Sequence, residues 1–141
     1  MLADDDADDK TLFCEALAEI DPAIVCHTAS DGKEALAILS GSEIKKPNII
    51  FLDINMPVMD GWQCLGRLKE HSDHRNIPVI MYSTSSYQRD IELALEAGAF
   101  CFFTKPSDYR ELRNILRLIA STPVESLSNT MKEFKNLKFT K

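Results

Sequence analysis

The stretch that decides the fold of this chain is residues 48–61, NIIFLDINMPVMDG. Its first part is an unbroken apolar run that ends at Asp53, and such a run indicates a strand buried on both faces of a parallel sheet. Its second part contains Asn55, Pro57 and Gly61, which are typical of a loop. The stretch therefore predicts a buried parallel strand that places a carboxylate at its carboxyl end.

Apolar runs and helical patterns alternate on both sides of this stretch. Strands are predicted at residues 1–3, 24–28, 48–52, 78–82 and 99–103. Helices are predicted at residues 8–20, 33–39, 62–71 and 86–97, and a last helix is capped by Asp108 and has an apolar face of Leu112, Ile115, Leu116 and Ile119. A strand followed by a helix, repeated five times, predicts an α/β fold with a doubly wound five-stranded parallel sheet and helices on both faces.

Polar side chains follow four of the predicted strands. They are Asp4 and Asp5, Asp53, Ser83 and Lys105. Because ligands of such sheets bind at the carboxyl ends of the strands, we expect these side chains to share one edge. Carboxylates that share a pocket repel one another, and a hard divalent cation such as Mg²⁺ resolves that repulsion. A carboxylate nucleophile, a lysine, a hydroxyl and a metal site are together the parts needed to transfer a phosphoryl group to a side chain.

These residues resemble a known family. The elements that carry the resemblance are Asp4-Asp5 after a strand, DINMPVMDG at residues 53–61, Ser83 after a strand and Lys105-Pro106. These elements, and the order in which they occur, resemble the receiver domain of response regulators in bacterial two-component signalling. The resemblance covers about residues 1–120 and implies a flavodoxin-like sheet with strand order 2-1-3-4-5. It leaves residues 121–141 as a C-terminal tail without an output domain, as in single-domain response regulators.

The resemblance implies a metal site. In receiver domains the residue at the position of Asp53 is the phosphoacceptor, and it binds Mg²⁺ together with the residue at the position of Asp5. Asn55 would bind the ion through its backbone carbonyl. Asp4 would help indirectly, through water or a hydrogen bond.

The resemblance also implies a switch. Ser83 and Lys105 would contact the phosphoryl group, and Ser83 would move toward it. An aromatic side chain on the fifth strand, here Phe102, would then swing inward and change the surface that a partner recognises. The peptide bond between Lys105 and Pro106 is cis in many members of the family.

The sequence departs from the family at two places. Only residues 1–3 precede the acidic pair, so we expect either that upstream residues are missing or that the first strand is unusually short. Ser83 replaces the commoner threonine but keeps the hydroxyl group.

The tail leaves three interpretations open. Apolar residues recur in it at helical spacing, at Val124, Leu127, Met131, Phe134 and Leu137. A short helix docked on its own domain, a contact with a partner or in a homodimer, and disorder are all compatible with this pattern.

Composition narrows the function classes. The chain has 141 residues and a net charge of -6, and such an acidic chain gives no reason to expect nucleic-acid binding. Asp6, Asp8 and Asp9 are interpreted as acids that cap the first helix and interact with its dipole. Four cysteines without a CxxC pair, no signal peptide and no long apolar run predict a cytoplasmic protein without a membrane partner.

The leading hypothesis is a phosphoacceptor switch in a two-component phosphorelay. A histidine kinase or phosphotransfer protein would donate the phosphoryl group to Asp53, and an unknown downstream protein would recognise the result. The chain would catalyse only its own phosphorylation and dephosphorylation, and would not be an enzyme for an outside substrate. The alternatives are a pseudo-receiver that acts only as a binding module, and a small aspartyl phosphatase. Asn55 argues against the phosphatase, because an amide cannot serve as the acid/base two residues after the nucleophile.

Overall fold

The computed structural model describes residues 1–130 and 137–139. Its strands are β1 Leu2–Ala3, β2 Thr28–Ala29, β3 Ile50–Leu52, β4 Val79–Ser83, β5 Cys101–Thr104 and β6 Leu137–Phe139. Its helices are α1 Ala7–Ile20, α2 Gly32–Ser40, α3 Gly61–Glu70, α4 Gln88–Glu96, α5 Tyr109–Ser121 and α6 Val124–Thr130. No helix among the described residues is both long and apolar enough to span a membrane.

The sheet has the order β2-β1-β3-β4-β5-β6. The first five strands are parallel, which confirms the predicted order 2-1-3-4-5. β1 lies between β2 and β3, with Leu2 opposite Thr28 on one side and Phe51 on the other. Although β1 has only two residues, it is central, so its carboxyl end lies beside the carboxyl end of β3.

Alternating side chains of the strands enter two separate cores, as expected for a sheet covered on both faces. In β4, Val79 and Met81 pack into one core, whereas Ile80 and Tyr82 pack into the other. The first core contains buried residues of α2, α3 and α4, and the second contains those of α1 and α5. The continuous apolar runs in the sequence follow directly from burial on both faces.

Aspartates set the starts of four helices. The side chains of Asp6, Asp31, Asp60 and Asp108 each accept a hydrogen bond from a backbone N–H of the first turn. These bonds satisfy donors that a helix terminus otherwise leaves without a partner. Asp60 and Gln63 form a reciprocal capping box at the start of α3, directly after the loop that carries Asn55. The predicted cap at Asp108 is confirmed, and so is that at Asp6.

The second strand differs from its prediction. We expected residues 24–28, but β2 comprises Thr28–Ala29 only. β2 is limited to the two residues that pair with Leu2 and Ala3 of β1. Val25 lies outside this pairing and is 70% exposed, so its apolar character was a poor guide to a buried strand.

The tail adds two elements to the domain. A short helix, α6, buries Leu127 in the core on the α1 and α5 side, as the docked-helix interpretation predicts. The strand β6 pairs antiparallel with β5 and buries Leu137 in the same core, which the helical interpretation of that residue did not predict. Met131 and Phe134 lie outside the described residues. The division of the chain at residue 120 and the homodimer stay predictions.

Candidate functional site

The carboxyl ends of β1 and β3 bring Asp4 and Asp53 together. Each follows the last residue of its strand, and backbone hydrogen bonds hold both in register. The Asp4 N–H donates to the carbonyl of Ala29 at 3.0 Å, and the Asp53 N–H donates to that of Ala3 at 2.9 Å. Asp4 is 0% exposed and Asp53 is 7% exposed. Two carboxyl groups are therefore fixed at the bottom of the site.

Asp5 completes an acidic cluster with these two residues. One carboxylate oxygen from each of Asp4, Asp5 and Asp53 lies within 4.8 Å of the other two. Asp4 uses both of its oxygens within the protein, because the Asp6 N–H donates to Oδ1 and Lys105 Nζ donates to Oδ2. Asp5 is exposed at the rim. Grouped carboxylate oxygens of this kind suit a hard divalent cation.

Lys105 enters the same cluster from the end of β5. Its ammonium lies 2.7 Å from Asp4 Oδ2, 2.9 Å from Asp9 Oδ2 and 3.6 Å from Asp53 Oδ2. The ammonium also lies 5.0 Å from the centre of the Tyr82 ring, within the range of a cation–π interaction. The predicted set of Asp4, Asp53 and Lys105 thus converges in space, although Lys105 is about a hundred residues from Asp4 along the chain.

Burial dominates the electrostatics of Asp53. Loss of water raises the pKa of its carboxyl group to about 6, and the charge of Asp4 acts in the same direction. The Lys105 charge and the hydrogen bond from the Ile54 N–H act in the opposite direction. Burial would lower the pKa of Lys105, but its hydrogen bonds to Asp4 and Asp9 raise that pKa overall, so the lysine is charged at neutral pH. The site holds more negative than positive charge and would favour a bound cation.

Ser83 ends β4 next to these residues and is fully buried. Its carbonyl accepts a hydrogen bond from the Lys105 N–H at 2.7 Å, and its hydroxyl oxygen accepts one from the Ser85 N–H at 3.2 Å. Ser85 in turn donates its hydroxyl proton to Asp90 Oδ2 at 2.6 Å. Ser83 is therefore linked to the first turn of α4, a connection that the sequence did not indicate.

Phe102 lies inside the protein. Its side chain is 0% exposed and belongs to the core formed with Ile91 and Ala94 of α4. The role of Phe102 in a switch stays a prediction. All described peptide bonds are trans, including the one between Lys105 and Pro106, which therefore differs from many receiver domains.

The loop between β3 and α3 positions Asp53 from the other side. The Gly61 N–H donates to the Ile54 carbonyl at 2.8 Å, and a Cβ atom at position 61 would meet the backbone of both Asp53 and Ile54. A glycine is thus required where α3 begins against the end of β3. Asn55, the predicted carbonyl ligand, is exposed in this loop.

Val58 occupies a strained conformation in the same loop. Its φ is 66°, a region that β-branched residues rarely adopt, and the Met59 N–H bonds to the Pro57 carbonyl across it at 2.7 Å. We expect Val58→Gly to raise the free energy of unfolding by about 1 kcal/mol, because glycine removes the steric cost of positive φ. Little packing would be lost, since Val58 is 77% exposed. Urea unfolding measures the change.

Val58→Ala is the matched control, because it shortens the side chain but keeps the Cβ atom that causes the strain. We expect this variant to stay within about 0.5 kcal/mol of the natural sequence. Equal stabilisation by alanine and glycine would contradict the strain argument.

Asp9 is the site residue that sequence reasoning missed. We interpreted it as a helix-dipole acid, and it does lie in the first turn of α1, but its carboxylate contacts Lys105 at 2.9 Å. A signal was available, because α1 begins directly after the strand end that holds Asp4. An acid in its first turn can therefore reach the same edge of the sheet.

The histidines and cysteines lie outside this cluster. His71 and His74 stack with ring centres 4.3 Å apart, and both line a cleft with a volume of about 380 Å³ beside Leu39 and Ile44. All four cysteines are free. The only group of three or more potential metal-ligating side chains among the described residues is the acidic cluster.

Comparison with known proteins agrees with this geometry. The family model of the response regulator receiver domain matches residues 1–117. The chain belongs to this family. The receiver domain is the part of two-component signalling systems that acts as a signalling switch and binds a divalent metal.

Two relatives, Rcp1 and RcpA, are similar to this chain over nearly its whole length. Response regulator Rcp1 of Synechocystis is 29% identical over 134 residues, covering 91% of this chain and 90% of that protein. The Mn²⁺-bound structure of Rcp1 covers 97% of this chain and 96% of its own with a TM-score of 0.68 and 26% identity. The phosphorylated cyanobacterial phytochrome response regulator RcpA superposes with a TM-score of 0.74 at 28% identity, over 96% of this chain and 94% of its own.

Other relatives are longer. A protein-glutamate methylesterase/protein-glutamine glutaminase of Methanococcoides burtonii is 35% identical over 132 residues, which is 92% of this chain and 36% of that protein. This receiver domain therefore spans about a third of the methylesterase, and the identity concerns the receiver-like part alone.

Proposed function

We propose that this receiver domain is a phosphoacceptor switch in which Asp53 takes a phosphoryl group from a histidine kinase or a phosphotransfer protein. The observation that carries the proposal is the acidic cluster of Asp4, Asp5 and Asp53 with the Lys105 ammonium 3.6 Å from Asp53. This arrangement supplies a nucleophile and a cation on a rigid sheet edge, beside carboxylates that suit a metal ion.

The donor set fits Mg²⁺. Asp5, Asp53 and the backbone carbonyl of Asn55 would hold the ion, and Asp4 would act indirectly because both of its oxygens already have partners. When bound, Mg²⁺ neutralises negative charge on the transferring phosphoryl oxygens.

The residues of the chain carry the transfer itself. An oxygen of Asp53 forms a new bond to phosphorus, and the bond between phosphorus and the histidine nitrogen of the donor breaks, with its electron pair leaving on that nitrogen. Lys105 stays protonated and balances the charge of the phosphoryl group. The oxygen of Asp53 that would attack is ionised at neutral pH, since the pKa of this group is about 6.

The bound phosphoryl group would act on the Ser83 hydroxyl. Ser83 accepts a hydrogen bond from Ser85, and Ser85 bonds to Asp90 of α4, so a movement of Ser83 would disturb the start of that helix. Phe102 packs against the same helix on its buried side. We expect a downstream protein to recognise the surface formed by α4, β5 and α5.

The test is phosphorylation by acetyl phosphate. We expect a mass gain of one phosphoryl group that requires Mg²⁺ and maps to Asp53, and a change in the fluorescence of Trp62, which follows the Gly61 contact with the Asp53 backbone. Asp53→Asn removes the nucleophilic oxygen and is expected to abolish labelling. Asp73→Asn, at an exposed position in the cleft beside His71, makes the same chemical change elsewhere and should label normally.

If Asp53→Asn is labelled at the same rate as the natural protein, Asp53 is not the phosphoacceptor. A folded natural protein that takes up no phosphoryl group would instead favour the pseudo-receiver, which binds its partner without phosphorylation.

A further inference from the structure

Lys105 contacts Asp53 less closely than it contacts two other carboxylates. A lysine ammonium has three N–H donors, and two of them reach Asp4 at 2.7 Å and Asp9 at 2.9 Å. The 3.6 Å separation from Asp53 Oδ2 is an ion pair beyond ordinary hydrogen-bond length. The cation of the site is therefore held mainly by residues that are not the phosphoacceptor.

Asp4 and Asp9 differ in how easily water could replace the Lys105 ammonium as their partner. The Asp4 side chain is 0% exposed, so water cannot replace Lys105 as its partner. The Asp9 side chain is 36% exposed, and water can solvate its carboxylate if Lys105 leaves. The contact between Asp9 and Lys105 is thus the one that breaks at least cost when a new anion arrives at Asp53.

We propose that Asp9 is a positioning residue that draws Lys105 away from Asp53 and so slows phosphoryl transfer to the site. The inference rests on the proposed phosphoacceptor function. The phosphoryl group brings new negative charge to Asp53, and Lys105 must exchange Asp9 for a phosphoryl oxygen to balance that charge. The Asp9 carboxylate competes for the lysine and also repels an anionic phosphodonor.

Removal of the charge on Asp9 tests this role. We expect Asp9→Asn to raise the rate constant for Asp53 phosphorylation by acetyl phosphate, in saturating Mg²⁺, by about threefold, the size of one partly exposed ion pair. General damage to the site would lower that rate, so an increase cannot come from a loss of structure. Asp9→Glu retains a carboxylate for Lys105 and is expected to be slower than Asp9→Asn.

Asp8→Asn is the matched control. Asp8 lies in the same first turn of α1 and is exposed, so this variant removes the same charge from the protein and the helix without touching Lys105. We expect its rate to match that of the natural protein. An equal increase in both variants would assign the effect to net charge and overturn the role of Asp9, and so would an Asp9→Asn rate at or below the natural one.

The same experiment separates the two proposals. If the natural protein is labelled at Asp53 and Asp9→Asn is not faster, only the role of Asp9 fails. If the natural protein is not labelled at all, the phosphoacceptor function fails and the role of Asp9 fails with it.

Discussion

Lys105→Met is expected to lower the free energy of unfolding by about 3 kcal/mol at neutral pH without divalent cations. The variant keeps the length and apolar stem of the side chain but removes the cation that contacts three carboxylates. Two of these, Asp4 and Asp53, have side chains that are 0% and 10% exposed, so water would solvate their charges only poorly once the ammonium is lost. An uncompensated buried charge is among the most destabilising changes a protein can undergo.

The deficit is expected to depend on pH in a defined direction. The pKa of Asp53 is about 6 although Lys105 lowers it, and loss of the lysine raises it further. A carboxyl group whose pKa is higher in the folded than in the unfolded state takes up protons on folding, so stability falls as pH rises through that interval. The difference between Lys105→Met and the natural protein should therefore widen as the pH rises above about 6, where Asp53 of the natural protein is already ionised.

Urea unfolding at several pH values gives the free energy of unfolding of both proteins and tests this prediction. Lys45→Met at an exposed position is the control for net charge, and we expect its stability to stay within about 0.5 kcal/mol at every pH. If Asp53 belongs to a Mg²⁺ site as proposed, added Mg²⁺ should stabilise Lys105→Met more than the natural protein. A pH-independent deficit would contradict this explanation, because the ionisation of Asp53 would then have no part in the loss of stability.

Gly61→Ala is expected to destabilise the protein by about 3 kcal/mol and to impair phosphorylation of the molecules that still fold. The new Cβ atom would meet the Asp53 carbonyl oxygen and would lie 2.8 Å from Ile54 Cα. Both neighbours are backbone atoms, which cannot rotate away as a flexible side chain can. The Gly61 N–H also bonds to the Ile54 carbonyl, so relief of the clash would break this bond and displace Asp53.

Gly66→Ala is the matched control in the same helix. A Cβ atom at position 66 meets nothing within 4 Å, and alanine favours a helix over glycine. We therefore expect this variant to be more stable than the natural protein by about 0.5–1 kcal/mol and to label at the same rate. Urea unfolding and acetyl phosphate labelling measure both variants. Equal effects of the two substitutions would mean that the contact between Gly61 and Asp53 does not constrain the site.

The sequence predicted secondary structure best where burial leaves a local pattern of apolar residues. Unbroken apolar runs identified β3 and β4, because strands buried on both faces have no polar positions. The apolar pattern wrongly predicted a strand at Val25. In the sequence, an apolar residue of an exposed segment cannot be distinguished from an apolar residue of a buried strand. The pattern also failed for Leu137, which lies in a strand although its spacing from Leu127 suggested a continued helix.

The sequence by itself determined the parallel α/β sheet and the edge at which Asp53, Ser83 and Lys105 would lie, because the ends of parallel strands share one side of the sheet. Only the tertiary structure decided which carboxylates hold Lys105, that Gly61 touches the Asp53 backbone, and that β6 covers the edge of β5. These features depend on distances of a few ångströms between residues far apart in the chain. Such distances follow from packing of the whole domain, and no local pattern of residues encodes them.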